Sequence, residues 1–262
     1  MKLLFIGGFF STQLENEIIL NSKSHIDYAA NKLQWEFIQG LSSIKKTEIN
    51  IISAPFVNPF PKGYKKIRFN KKPIEKKDNI EIHYVNFCNL WGYRNISRKY
   101  AINRKICKLP VNEIDVVFLY SAHTPIVQAA KKIKKINSLT HICLILPDLP
   151  EFMNRNRKKN FLYKVFKKID IKIFKKNIKY IDSFVLLTEN MSNYLNIKDK
   201  PFVVIEGMIN PEEIVIKGDK SDDYSQKKDV VYTGNLVATN GILNLLEAFH
   251  QIEDQNLNLV IC

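Results

Sequence analysis

Short apolar runs alternate with stretches of helical periodicity along most of this chain. Residues 2–6, 49–52, 80–85, 115–120, 141–146, 183–187 and 202–205 read as seven strands, the first of them buried on both faces. Between them, apolar residues return at spacings of three and four. Ile26, Ala29, Ala30, Leu33, Phe37, Ile38 and Leu41 mark a helix from Ser24, and further helices are predicted over residues 94–107, after Pro125 to Lys135, across 155–179 and over 189–195. Residues 11–24 are polar and read as irregular. Residues 55–78, with four prolines and many lysines, read as a loop. Strands alternating with helices predict an α/β fold built on a parallel sheet with helices on both faces.

The pattern pauses over residues 209–228, which are polar and charged, and then begins again. Val230–Tyr232 reads as a strand closed by Gly234. Ile242, Leu245, Leu246, Phe249 and Ile252 form a helix that Asn240 or Thr239 could cap, and Leu257–Ile261 reads as another strand. The organisation predicted is a Rossmann-like domain over residues 1–208, a linker over 209–228, and a β-α-β piece over 229–262 that reads as the start of a second Rossmann-like domain.

Composition narrows the class. At 45% apolar residues the chain can build a large core, and no run approaches the roughly 18–20 apolar residues that cross a bilayer. The apolar start at Met1–Ile6 ends at Gly7–Gly8 without a leader's hydrophobic region, so a first strand is expected there. Cys88, Cys107, Cys143 and Cys262 are scattered without a CxxC pair, which argues against a zinc site or disulfide framework and for a reducing, cytoplasmic setting. No GxGxxG follows the first strand and no GxxxxGK[ST] occurs, which counts against a dinucleotide oxidoreductase and a P-loop NTPase. The net charge of +14 favours anionic partners. It clusters over residues 155–179, where Leu162, Val165, Phe166, Ile169, Ile173, Phe174 and Ile178 share one face. Lys164, Lys167, Lys168, Lys172, Lys175 and Lys176 lie among the cations around them. Such a helix can lie on an anionic membrane surface, or pack its apolar side on a sheet with its lysines solvated. No recognised nucleic-acid module accompanies it.

Several segments also resemble one family. LLFIGG at the start, AANKLQWEFIQGL, LYSAHTPIVQAAKK, ILPDLPEFM, VLLTENMSNYL and VVIEGMINP follow in order, and then YTGNL, NGILNLLEAF and LNLVIC. Together they are similar to family-4-like glycosyltransferases of the GT-B fold, across nearly the whole chain. The resemblance implies an acceptor-side Rossmann-like domain followed by the truncated opening of a donor-side one. It implies a nucleotide-sugar as substrate, a lipid-linked or saccharide acceptor in surface polysaccharide assembly, retention at the anomeric carbon, and no bound metal. The location implied is cytoplasmic, possible also as a peripheral protein on the inner face of the plasma membrane. The alternative is a non-catalytic membrane- or acceptor-binding half whose partner chain supplies the donor site.

On that resemblance, Asp148 lies on the acceptor side, where it could hydrogen-bond or deprotonate a sugar hydroxyl. An aspartate between two prolines also suits a turn or helix cap. His123 could contact acceptor or donor phosphate, or serve only as a loop histidine. His25 and Glu151 are the further acceptor-side candidates. Gly7 and Gly8, which would let a ligand approach the backbone, are donor-binding candidates together with Gly234, Asn235, Asn240 and Gly241. Asn235 and Asn240 stand where many relatives carry an Arg and a Lys for the diphosphate.

Overall fold

A computed structural model of the chain describes residues 1–70, 72–152, 161–210, 228–234, 236, 240–254 and 256–262. The described residues form two compact units, the first up to Asn210 and the second from Lys228. The first unit opens with β1 (Lys2–Gly7), α1 (Thr12–Asn21), α2 (Tyr28–Ser42) and β2 (Glu48–Ser53). Next come β3 (Arg68–Phe69), β4 (Glu75–Lys77), β5 (Ile80–Tyr84), β6 (Phe87–Cys88) and α3 (Arg94–Ile106). The alternation then runs through β7 (Val116–Tyr120), α4 (Thr124–Ile136), β8 (His141–Leu146), α5 (Phe161–Asn177), β9 (Ser183–Leu186), α6 (Asn190–Leu195) and β10 (Phe202–Val204).

Eight of these strands make one sheet in the order β10-β9-β8-β7-β1-β2-β5-β4. Every pairing in it is parallel except that of β4 with β5. β1 lies at the centre, with Leu3 opposite Ile49 of β2 and opposite Val116 of β7. Leu3, Leu4, Phe5 and Ile6 are accordingly buried on both faces, as a parallel sheet covered by helices requires. The chain winds from β1 through β2 to β5 on one side and from β7 to β10 on the other. The winding therefore reverses between β1 and β7, and the carboxyl ends of those strands flank the crevice where open α/β sheets bind ligands. β4 closes one edge with Glu75, Lys76 and Lys77, charges that discourage edge-to-edge association.

Three expectations need correction. Residues 12–21, expected to be irregular, form α1, which buries only Leu14 and Ile18. One i, i+4 pair among polar residues holds the helix but leaves too little periodicity to detect. Within the expected loop 55–78 the structure has β3 and β4. β3 is fixed by Phe69, which stacks on Phe87 of β6 with ring centroids 5.3 Å apart. α2 also begins later than Ser24: Asp27 accepts a hydrogen bond from the Ala30 N–H at 3.2 Å and so caps a helix starting at Tyr28.

The second unit contains β11 (Lys228–Tyr232), α7 (Ile242–His250) and β12 (Leu257–Ile261). β11 and β12 pair in parallel from Lys228–Leu257 to Tyr232–Ile261, which makes the unit a β-α-β crossover. The residue preceding α7 is Gly241, with φ of 81°. This left-handed conformation leads into the helix, and glycine adopts it without a Cβ penalty. Thr239 lies outside the described residues. Among the described residues no helix is long and apolar enough to cross a membrane.

Candidate functional site at the carboxyl ends of the strands

The loops leaving β1, β2 and β7 meet at the point where the winding reverses. The Gly8 N–H donates to Gln34 Oε1 at 2.8 Å, while Gln34 Nε2 donates to the Ala30 carbonyl at 2.9 Å, so a buried amide joins β1 to α2. The loop after β2 runs alongside, with the Ala54 and Phe56 N–H groups donating to the Gly7 and Gly8 carbonyls at 3.0 and 2.8 Å. A Cβ at Gly8 would stand 2.1 Å from the Phe56 ring, and one at Gly7 would stand 2.4 Å from Gln34 Oε1. These glycines admit Phe56 and Gln34 to the backbone. Substituting Gly8 with valine is therefore expected to destabilise the fold by about 1–3 kcal/mol through overpacking. At roughly 2–4 °C per kcal/mol for a chain of this size, thermal denaturation would show the loss, and an unchanged melting temperature would refute this packing.

After β7 the backbone turns through Ser121, with φ of 76°, into the start of α4. The His123 carbonyl accepts from the Ile126 and Val127 N–H groups at 2.9 and 3.1 Å, and Pro125 stiffens the first turn. The imidazole lies against Phe56, with centroids 4.5 Å apart and planes 34° apart. Burial first, and then the cations Arg98, Arg94 and Lys167, push His123 down to about 3. The residue is half-buried, and its ring is neutral at physiological pH. A neutral ring can offer one N–H or one lone pair; it cannot pair with phosphate as a cation.

Asp148 sits exposed at the carboxyl end of β8, between Pro147 and Leu149. It lies near enough to Tyr120 that, after burial and Asp27, its charge pushes the Tyr120 hydroxyl upward. The buried Tyr120 hydroxyl has no hydrogen-bond partner, and its ring lies 6.3 Å from that of Phe56. Phe56 and Tyr120 thus link Asp148 to His123. Glu151 faces elsewhere: one carboxylate oxygen is 3.7 Å from Lys175 Nζ of α5, and its charge acts on Tyr194 of α6. His25 is exposed ahead of α2, where its carbonyl accepts from Asn58 Nδ2 at 2.8 Å. Gly234, Asn240 and Gly241 belong to the second unit, between β11 and α7, and Asn235 lies outside the described residues.

Two arginines escaped the sequence reading. Arg98 of α3 is only 3% exposed; its Nη2 donates to the Pro55 carbonyl at 2.6 Å and its guanidinium covers the Phe87 ring at 4.4 Å. Arg94, one turn earlier, donates to the Val57 carbonyl at 3.2 Å. The signal was present: Arg98 shares an i, i+4, i+8 stripe with the buried Ile102 and Ile106, a position that solvated arginines do not take.

No protein-family model and no curated protein matches the sequence. Solved structures do match. Nearly the whole chain, 99%, superposes on 63% of a UDP-forming α,α-trehalose-phosphate synthase from Burkholderia xenovorans, with a TM-score of 0.57 and 12% identity. The whole chain superposes on 72% of the apo UGT2 of Phytolacca americana, with a TM-score of 0.52 and 8% identity. A trehalose-6-phosphate synthase studied for glycosyl transfer with retention is similar over 63% of its length, with a TM-score of 0.51 and 12% identity. The chain spans less than two thirds of the two synthases. The parallel sheet, its order and the second β-α-β unit give this chain the GT-B type of fold, a Rossmann-like unit followed by a β-α-β unit.

Proposed function

We propose that this chain belongs to a glycosyltransferase that moves a sugar from a nucleotide-sugar to a saccharide or lipid-linked acceptor. The observation that carries the reading is the match of essentially the whole chain, both units in order, to structures of the GT-B type. On this reading the carboxyl-end loops of the first unit form the acceptor wall. Asp148 hydrogen-bonds and deprotonates the attacking hydroxyl, and neutral His123 donates an N–H to the acceptor. The test is calorimetric titration with UDP-, GDP- and ADP-sugars of the protein form that carries the donor-side domain in full. Saturable binding of one of them is expected, and failure of all three to bind would overturn the reading.

We also propose that the protein works at an anionic membrane surface. α5 exposes Lys164, Lys168, Lys172, Lys175 and Lys176, with Lys167 half-buried. Beside them Val165, Phe166 and Ile169 are exposed rather than packed on the sheet, although Phe174 is buried. Phe166 meets Trp91 edge to face at 5.8 Å, and Tyr93, Ile96 and Tyr100 continue the apolar surface along α3. Lys99, Lys131, Lys132, Lys135 and Lys176 of α3, α4 and α5 line a neighbouring cavity of about 350 Å³. Exposed aromatics ringed by lysines are what an interfacial protein presents to headgroups. Each lysine near the surface contributes about 1 kcal/mol, so reversing Lys168, Lys172 and Lys176 to glutamate is expected to weaken binding to phosphatidylglycerol vesicles by about a hundredfold or more. Wild-type binding should also fall as salt rises. Sedimentation that is insensitive to both changes would refute the proposal.

A further inference from the structure

Where α3, α4 and α5 lie side by side, they leave between them a cavity of about 350 Å³ that sugar transfer does not use. Its lining holds five lysines and no aspartate or glutamate: Lys99 of α3, Lys131, Lys132 and Lys135 of α4, and Lys176 of α5. The α4 lysines stand eight to twelve residues beyond His123, roughly 12–18 Å along the helix at about 1.5 Å per residue. The cavity is therefore separate from the crevice at the carboxyl ends of the strands. Neighbouring lysines find acids: Lys134 pairs with Asp182 at 2.8 Å and Lys175 with Glu151 at 3.7 Å. Among the described residues, none of the five cavity lysines pairs with a carboxylate. A further polar group there is unmet, because Asn103 of α3, also in the lining, keeps its Oδ1 buried without a hydrogen-bond partner.

Helix electrostatics account for some of these cations. Lys135 and Lys176 lie in the last turns of α4 and α5, where positive charge complements the helix dipole. Lys99 instead sits midway along α3, and Lys131 and Lys132 precede the last turn of α4. Lys131 and Lys135 are also four residues apart on one helix, a spacing at which like charges weaken it. Solvation alone gives no reason for cations from three helices to border one hollow. We propose that this cavity binds a compact ligand carrying two phosphate groups and a free hydroxyl. Lysines suit that class because a mobile ammonium meets phosphate as a point charge from several directions. A phosphate monoester carries about −1.5 to −2 at neutral pH, so two of them offset most of the five charges and one does not. Asn103 Oδ1 accepts from the hydroxyl. The volume is near the lower end of the range for ligand sites, about 300 Å³, and limits the ligand to a small group. Two sources offer the same chemistry, a soluble sugar bisphosphate and a lipid headgroup that joins two phosphates through glycerol. The site stands apart from the transfer reading and from the exposed face of α5, since Lys164, Lys168 and Lys172 are not in its lining.

Two measurements on the full chain test the site, both at an ionic strength held constant with chloride. The first is calorimetric titration with a hexose bisphosphate and with inorganic phosphate. Saturable binding of one bisphosphate per chain, at least about tenfold tighter than inorganic phosphate, assigns the ligand to a soluble ester. The second is sedimentation with cardiolipin vesicles, against phosphatidylglycerol vesicles of equal phosphate content. A preference for cardiolipin without a response to the bisphosphate assigns the ligand to a lipid headgroup. The double variant Lys131→Gln/Lys132→Gln is expected to weaken the bisphosphate, or the cardiolipin preference, by about ten- to a hundredfold. Lys164→Gln/Lys168→Gln makes the same change of charge outside the cavity. It should weaken the bisphosphate by less than about threefold and leave the cardiolipin preference intact. Lys99→Gln, on a different helix, is expected to weaken binding as well and decides the matter if the α4 variant does not fold. No saturable binding of the bisphosphate together with equal binding to the two vesicles would overturn the proposal. Equal weakening by the two double variants, the mark of diffuse attraction, would overturn it too. Vesicle binding that is indifferent to Lys131 and Lys132 removes the cavity and leaves the membrane face of α5 standing. Bisphosphate binding by a chain that sediments with neither vesicle supports the cavity and removes the membrane reading.

Discussion

Replacement of Asp148 by asparagine is expected to lower sugar transfer by about 10²–10⁴-fold, the range for loss of a general base, while leaving the melting temperature unchanged. Asp148 is exposed at the end of β8, so no core packing goes with its carboxylate. Asparagine keeps the size and a hydrogen-bonding oxygen but cannot accept the proton that an attacking hydroxyl must release. His123 cannot take over that task. Held down to about 3 by burial and three cations, it is too weak a base to gain a proton at neutral pH. His123→Gln, which retains an N–H donor, is accordingly expected to cost less than about tenfold. The informative measurement is kcat and KM for both substrates, in the protein form that supports transfer. A fall in kcat with donor KM unchanged identifies a group acting on the hydroxyl, whereas Asp148→Asn retaining near wild-type kcat would remove Asp148 from the chemistry.

Most of the architecture was legible because parallel strands buried on both faces advertise themselves. His141–Leu146 is apolar from its second residue onward, and the structure places a strand on those six residues. The β-α-β of the second unit was equally legible, its helix marked by Ile242, Leu245, Leu246 and Phe249. What escaped was structure held by a few contacts. α1 rests on two buried side chains, and β3 and β4 are two and three residues long. β3 is defined by a partner distant in sequence, Phe87 for Phe69, which local pattern does not contain, and β4 is three charged residues in a short hairpin with β5, without the apolar alternation that marks a strand.

The site divided along the same line. His123 and Asp148 could be singled out because each follows a strand at its carboxyl end, where α/β sheets bind ligands. The glycines at the end of β1 were legible as points of close approach to the backbone and read as room for a ligand, but the side chains that pack there, Phe56 and Gln34, come from other elements. Composition hid Arg94 and Arg98. In a chain with 40 lysines and arginines, a basic helix reads as a solvated face, and only the stripe shared with Ile102 and Ile106 separates Arg98 from its neighbours. Burial turns an ordinary cation into a chemical constraint, and here it comes from the packing of α3 against Phe87 of β6 and the loop after β2 rather than from α3 itself.

That constraint has a counterpart on β5, with a large expected effect of its own. His83 is 4% exposed, between β2 and β4 in the sheet. Burial, then Lys105 and, more weakly, Lys76 push it down to about 4, against the opposing pull of Glu81, whose carboxylate stands 3.1 Å from Nε2. An unfolded histidine titrates near about 6.5. Between those values the unfolded chain binds a proton that the folded chain does not, so lowering the pH favours unfolding. The stability associated with a neutral His83 is fully present above about pH 6.5 and is lost progressively as pH falls toward the folded value. At about 1.4 kcal/mol per unit of separation, the loss approaches roughly 3 kcal/mol by pH 4, a large fraction of the about 5–15 kcal/mol that holds a typical domain. Neither ring nitrogen makes a hydrogen bond, so His83→Leu leaves no donor or acceptor stranded and is expected to change stability little at pH 7. Urea denaturation at several pH values between 7 and 4 should then show the two proteins diverging, the wild type losing stability more steeply. Part of the acid sensitivity will remain in the variant, because His123 is also held neutral and the carboxylates of Glu17 and Glu81 are held low by lysines. Parallel curves for the two proteins would show that His83 takes up its proton at the same pH folded as unfolded, so that the pull of Glu81 offsets burial.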